Sequence, residues 1–452
     1  MKYKKLYIET LGCPKNFNDS EGIGGIWEAA GGEIVSDPQE AEAVLVNTCG
    51  FINDAKVESI DAIFDMTRLP HKPVLIVSGC LSQRYGEELA KEIPEIDYIL
   101  GVNDYEKLPQ IIGSEQRMHR SDAPECFNEF SSRRLENVHY SATLRIAEGC
   151  NNRCAYCVIP DIRGPYRSRP MENILAEAES LAKSGVRELI LIAQDLTEYG
   201  RDLDGKLCLP DLLKKLCRIG GDDLNQGFRW IRLMYCYEDK ITDELIDVIA
   251  EEKRICKYLD IPLQHVSDHV LGSMRRRSTS DSIRATIHKL RTAIPDIHIR
   301  TTFITGFPGE TEEDFEALAD FALEAKFERL GVFAYSREEG TPAGDMESQV
   351  DEEIKKARAD SIMRLQVEIS REHNEEKVGR VMDVLVKGID EENADFVTYV
   401  GRTEYDAPEI DGSVVFRAPA SDKRLTPGEF VPVLIEDAFD YDLVGTAIQE
   451  KG

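Results

Sequence analysis

Basic residues are in short supply in this chain of 452 residues: 55 Lys and Arg face 84 Asp and Glu, leaving a formal charge of −29 and a sequence pI near 4.8. A nucleic-acid binder usually presents a basic face, so the balance favours a basic partner over RNA, although general solubility or an acidic host proteome explains it equally well. Also missing is any uninterrupted apolar run long enough to span a bilayer. The N-terminus runs into Glu9 and a Gly-Cys turn before any apolar stretch of signal-peptide length. The expectation is a soluble cytoplasmic protein with no membrane contact, where cysteines stay reduced and available for metal. There are eleven cysteines, and an odd number argues against a full disulfide set. The length suggests about three domains and is ample for a large core.

What is present begins with Cys150-Asn-Asn-Arg-Cys154-Ala-Tyr-Cys157, a C-x3-C-x2-C group that can face one metal centre from a single loop. A structural zinc site closes its shell with four protein ligands, and no fourth Cys or His stands nearby. Three soft thiolates therefore point to an iron–sulfur cluster with one iron left open, against zinc or unligated core thiols. Glu148-Gly149 precedes the loop; Val158-Ile159-Pro160, Arg163-Gly164 and Arg167-Ser168-Arg169-Pro170 follow it. The glycine permits a close backbone turn, and the arginines can balance charge or contact a ligand carboxylate. Together these residues resemble the signature of the radical S-adenosylmethionine (SAM) enzymes. That resemblance implies that SAM chelates the open iron and is cleaved reductively to a 5′-deoxyadenosyl radical.

The fold class expected is α/β and multidomain. Residues 1–114 alternate short β-rich runs with helices, as in an open parallel sheet. Three of those runs lead straight into cysteines: Lys5–Thr10 into Cys13, Ala43–Thr48 into Cys49, and Pro73–Gly79 into Cys80. Carboxyl ends of parallel strands gather at one edge, so the placement predicts a second three-cysteine cluster, although each Cys alone is more often a small buried hydrophobe. Residues 115–139 read as a linker. From 140 to 370 six strand–helix units suggest a partial barrel: strands Thr143–Ala147, Glu188–Ala193, Trp230–Tyr235, Tyr258–Leu263, Ile299–Ile304 and Leu330–Tyr335 alternate with helical stretches. Barrel sites lie at carboxyl strand ends, which nominates Gln194 and Asp195, the Gln264-His265 pair, and Gly306 with Glu310 as SAM or substrate contacts. The Gly306–Thr311 turn has an alternative role as a helix cap with Thr311 at the N-cap. Residues 371–452 read as short strands of a small β-barrel with nineteen Asp and Glu against nine Lys and Arg.

With all three segments in place, the chain resembles the radical-SAM methylthiotransferases over nearly its whole length. That family joins an N-terminal methylthiotransferase domain, a radical-SAM partial (βα)6 barrel and a C-terminal TRAM barrel. One branch modifies isopentenylated adenosine in tRNA; the other modifies an aspartate of small-subunit ribosomal protein S-twelve. Leu11-Gly-Cys-Pro-Lys-Asn16 with Asp19-Ser20-Glu21, and Asn47-Thr-Cys-Gly-Phe-Ile52, are similar to the ribosomal-protein branch. The tRNA branch typically has Gln-Met in place of Pro14-Lys15, and the acidic barrel also makes tRNA the weaker partner. The resemblance implies two [4Fe–4S] clusters: an auxiliary one on Cys13, Cys49 and Cys80, and the radical-SAM cluster on Cys150, Cys154 and Cys157. It further implies SAM as methyl donor and radical source, 3-methylthioaspartate as product, and a flavodoxin- or ferredoxin-type reductant. It names no catalytic side chain. Phe17-Asn18 departs from the branch's usual small or aliphatic residues, and Cys126, Cys208, Cys217, Cys236 and Cys256 match no family ligand.

Overall fold

The computed structural model describes residues 2–135 and 140–448. Its first sheet contains β1 (Lys5–Thr10), β2 (Glu33–Ile34), β3 (Ala43–Thr48), β4 (Val74–Gly79), β5 (Tyr98–Leu100) and β6 (Met118–His119), in the order 2-1-3-4-5-6. All neighbours are parallel. Alternate residues of the same strand bury on opposite faces: Leu45 packs with Ile23 and Trp27, whereas Val44 and Val46 pack with Ile63 and Leu89. Helices cover both faces, as near-continuous apolar strands require. In this strand order the winding reverses between β1 and β3, which leaves a crevice at their carboxyl ends. The expected linker supplies the edge strand β6, and its last four residues, 136–139, lie outside the described residues.

The second sheet runs β7 (Ser141–Arg145), β10 (Glu188–Ile192), β11 (Trp230–Leu233), β12 (Ile255–Gln264), β13 (His298–Thr305) and β14 (Arg329–Ala334), every neighbour parallel. Two short strands, β8 (Ala147–Glu148) and β9 (Arg167–Ser168), pair antiparallel beside it and bracket the cysteine loop. Strand β7 therefore stops two residues before the expected Ala147: the Ile146 N–H still bonds Ile192 O, but Ala147 turns to Ser168. Helices bury one face of this sheet. The other face, with Ile190, Ile192, Trp230 and Tyr258, is covered by Leu385, Ala407 and Phe430 of the third domain. That domain is a closed barrel of β15 (Val381–Glu392), β16 (Phe396–Arg402), β17 (Val414–Pro419), β18 (Phe430–Ala438) and β19 (Leu443–Ala447). A helix at Glu352–Glu375 leads into it and crosses the expected 370/371 boundary.

The barrel is fastened by buried charge as well as apolar contact. Glu188 is fully buried and accepts from Arg232 at 3.1 Å and Arg402 at 2.6 Å, while Arg329 pairs with Asp406 at 2.8 Å. No helix among the described residues is long and apolar enough to cross a membrane.

Candidate functional site: two cysteine triads across one interface

Cys13 precedes α1 (Pro14–Ala29), Cys49 follows β3, and Cys80 opens α3 (Cys80–Glu92) directly after β4. The first two therefore flank the crevice between β1 and β3. Gly12 has φ +90°, and a Cβ there would stand 2.8 Å from Cys49 Cβ, so only glycine lets the Cys13 loop close onto Cys49. Ser59 Oγ holds the Cys49 backbone at both ends, 3.0 Å from its N–H and 2.9 Å from its carbonyl. Asn16 ties the crevice together by donating to Leu11 O and Thr48 O. Burial pushes the Cys49 thiol up and that of Cys80 to about 11, and the Cys13 thiol raises both further.

The second triad sits on the loop after β8. Gly149 has φ +79°, and a Cβ there would lie 2.1 Å from Pro165 O, so this turn too requires glycine. The Cys150 N–H bonds Gly164 O at 3.1 Å, closing the loop on itself. Backbone N–H groups already point at sulfur: Asn152 at 3.4 Å from Cys150 Sγ, and Ile159 at 3.5 Å from Cys157 Sγ. Burial pushes Cys150 up to about 11 and Cys157 to about 12. Thiols so buried stay protonated near neutrality unless a cation lies among them, and a coordinating metal deprotonates a thiol outright. Among the described residues no group of His, Cys, Asp and Glu is arranged to hold a single metal ion. Soft sulfur donors, glycine-cradled turns and N–H groups aimed at sulfur instead fit an iron–sulfur cluster.

The nominated contacts divide in role. Asp195 holds the cluster loop: its carboxylate accepts from Asn152 Nδ2 at 2.8 Å, from Thr197 Oγ1 at 2.6 Å and from Lys240. Gln194 donates to Glu148 beside the loop, and its Oε1 is buried without a partner. Gly306 has φ +68°, and its N–H donates to Glu310 Oε2 at 2.9 Å; Arg358 takes the other oxygen at 2.7 Å. Thr311 is the N-cap of Glu312–Ala325, in a reciprocal box with Asp314. Three successive barrel strands end in left-handed backbone, at Tyr235 (φ 64°), Gln264 (φ 71°) and Gly306. Such geometry in non-glycine residues is strained and concentrates at functional sites. Of the five cysteines outside the triads, Cys217, Cys236 and Cys256 are buried in apolar clusters.

Sequence reading missed what joins the triads. Arg163, on the turn that closes the second triad's loop, donates to Asp19 at 2.9 Å, Asn16 at 2.9 Å and Glu148 at 3.3 Å, and lies 3.5 Å from Cys80 Sγ. Arg145 also bonds Asp19 and Glu148, at 2.8 and 2.9 Å. Burial opposes ionisation of Glu148, but the two guanidiniums outweigh it and hold its carboxyl at about 2; burial pushes Asp19 the other way. Lys56 and Arg84 add a second bridge between the domains, to Glu338 at 2.8 and 3.5 Å.

Six parallel strands with three thiolates on the loop after the first define a radical-SAM core, and residues 144–322 match the model of the radical SAM superfamily. Residues 5–101 match an uncharacterized protein family, UPF0004, and residues 378–448 the TRAM domain. A radical-SAM core implies a [4Fe–4S] cluster and SAM. The chain is 47% identical to the ribosomal protein uS12 methylthiotransferase RimO of Clostridioides difficile (strain 630), over 99% of each chain. It is 49% identical to that of Clostridium botulinum (strain Eklund 17B / Type B), over 100% of this chain and 99% of the relative. The chain belongs to the ribosomal protein uS12 methylthiotransferase family. Among solved structures, the radical SAM methyltransferase TsrM of Kitasatospora setae shares the fold, with a TM-score of 0.57 and 16% identity over 87% of this chain and 79% of that one.

Proposed function

We propose that this protein replaces a C–H bond at the β-carbon of an aspartate of ribosomal protein uS12 with a C–S bond to a methylthio group. The observation that carries this reading is the Arg163 bridge: one side chain rooted in the Cys150–Cys157 loop reaches Cys80 of the other triad. The two cysteine sets are thereby linked across one domain interface. On this reading Cys150, Cys154 and Cys157 hold the SAM-binding cluster, and Cys13, Cys49 and Cys80 hold a second [4Fe–4S] cluster. When bound, the clusters and SAM supply the radical and the methylthio group that an unactivated C–H bond requires, since side-chain acid–base chemistry cannot furnish either.

The protein's own residues position and shield. Asp195 and Lys240 fix Asn152 on the cluster loop. Gln194 presents a buried free acceptor for the amino group of SAM, and the Gly306–Glu310 turn, closed by its own carboxylate, forms a rigid wall. The acidic third domain draws in a basic protein substrate. Electrons come from an acidic one-electron protein of flavodoxin or ferredoxin type. Arg153, Arg275 and Arg277 stand exposed around Cys154 and form no ion pair among the described residues, a local positive patch on a chain of net negative charge.

The test is mass spectrometry after anaerobic reconstitution with iron and sulfide, with SAM, reductant and a sulfur source. Ribosomal protein uS12 and isopentenylated tRNA are offered separately. A methylthio gain on an aspartate of uS12 is expected; gain on tRNA alone overturns the substrate, and gain on neither overturns the reading.

A further inference from the structure

Immediately after Cys13 the chain places Pro14 at the first position of α1 and Lys15 at the second. A lysine there ordinarily reaches water, but Lys15 is only 7% exposed. Its Nζ lies 3.9 Å from the centroid of the Tyr235 ring, across the domain interface at the carboxyl end of β11. No hydrogen bond or ion pair to the Lys15 side chain is formed among the described residues.

The acidic groups that act on this ammonium are the Cys13 thiol, committed to the cluster on the reading above, and the carboxylates of Glu148 and Asp260, which are already engaged. Glu148 is shared by Arg145 and Arg163. Asp260 accepts from Arg300 at 2.8 Å and from the Tyr235 N–H at 3.0 Å. A buried cation resting on one aromatic face lacks the anion that would compensate its lost hydration. Tyr235, which carries that face, is held in strained left-handed backbone and is itself fixed by Asp260 and by the Leu196 N–H on its carbonyl. The arrangement presents a fixed ammonium at the domain interface whose neighbouring carboxylates are already committed to other cations.

We infer that Lys15 is the residue that binds the substrate's side-chain carboxylate and so selects aspartate; this rests on the function proposed above. Two carboxylates come to this enzyme, the aspartate of the substrate and the methionyl group of SAM. Lys15 belongs to the first triad's domain and follows Cys13 by two residues, whereas SAM is held at the other triad, so the substrate carboxylate is the partner. An ammonium bonded to that carboxylate orients the adjacent β-carbon toward the space between the triads. Tyr235 then supplies a flat floor beneath the ion pair.

The test compares the reconstituted wild type with Lys15→Met, Lys15→Gln and Lys15→Arg. Binding is measured to a uS12 loop peptide carrying the target aspartate and to the same peptide with asparagine, and SAM affinity is measured separately. A charge-assisted hydrogen bond makes the wild type prefer the aspartate peptide by about tenfold or more. Lys15→Met and Lys15→Gln lose that preference by weakening the aspartate peptide alone, and Lys15→Arg recovers part of it. Iron content and SAM affinity stay near wild type, which shows that the variants are folded. Retained preference in both neutral variants overturns the role, as does a fall in SAM affinity with the peptide preference intact. A wild type that methylthiolates uS12 while the variants keep their preference refutes Lys15 alone; a wild type that never modifies uS12 refutes the function with it.

Discussion

Replacing Arg163 with leucine should separate the two domains energetically. The guanidinium reaches Asp19 and Asn16 at 2.9 Å, Glu148 at 3.3 Å and Cys80 Sγ at 3.5 Å, and all of these groups are buried. Arg163→Leu leaves two buried carboxylates to share Arg145. Removing one partner from a buried ion pair costs about 3–5 kcal/mol, because the charge left behind is uncompensated. For domains of this size, each kcal/mol corresponds to roughly 2–4 °C, so the expected fall in melting temperature is about 6–20 °C. The chain offers a clean probe, because it has only two tryptophans. Trp27 is fully buried on α1, the helix that carries Asp19, whereas Trp230 packs edge-on against Phe430 of the third domain. In a Trp230→Phe background, at equal iron content, Trp27 fluorescence follows the domain that matters. Asp19→Asn completes a double-mutant cycle with an expected coupling of at least about 1 kcal/mol. A shift under about 2 °C, or strict additivity with Asp19→Asn, refutes the claim that this network welds the triads together.

Acid should loosen both junctions of the second domain, with the first domain at Glu148 and with the barrel at Asp406. Guanidiniums outweigh burial at Glu148, and Arg329 with Lys377 outweighs burial at Asp406, holding both carboxyls at about 2. Carboxyls lowered on folding contribute stability that is complete above the unfolded range near pH 4 and is lost as pH falls toward about 2; a denaturation midpoint that stays flat across that window contradicts the assignment. Gly149→Ala places a Cβ against Pro165 O and should release iron from the second triad while circular dichroism stays unchanged, so full iron retention would show that the turn tolerates a side chain. Reversing Arg153, Arg275 and Arg277 to glutamate should slow reduction by flavodoxin and abolish its salt dependence, with dithionite reduction unaffected. Equal flavodoxin rates at low salt would place the electron donor elsewhere.

Local chemistry was legible in the sequence, and long-range pairing was not. A strand that runs into a cysteine fixes that cysteine at the sheet's carboxyl edge, so the placement of Cys13, Cys49 and Cys80 there followed from the runs Lys5–Thr10, Ala43–Thr48 and Pro73–Gly79 without knowledge of tertiary contacts. The Thr311 cap was readable for the same reason, since its partner Asp314 lies three residues away. By contrast, Asp19 and Arg163 are separated by 144 positions, and neither looks buried from its neighbours. The helix Glu352–Glu375 escaped notice because its inward stripe includes Lys355, Arg358, Gln366 and Asn374, which blur the apolar period of an amphipathic helix. Lys15 reads as an ordinary helix-start lysine until the opposing domain closes over it.

That closure explains why buried polar groups fasten the junction between the first two domains beside the small apolar cluster of Phe51, Cys80, Val158 and Ile162. Apolar faces can slide over one another with little change in energy, whereas a guanidinium forked between Asp19 and Asn16 has one favourable arrangement. Radical chemistry punishes misplacement, since a reactive carbon must meet one hydrogen and one sulfur and nothing else. Directional bonds from Arg163 and Arg145 therefore hold the two domains in one register, and the ion pairs of Lys56 and Arg84 to Glu338 bridge them a second time. The third domain does the complementary work from the other side, where Leu385 and Ala407 seal the inner face of the sheet with apolar contact. The junction is thus fixed by directional bonds on the side of the triads and sealed by apolar contact on the other side of the sheet.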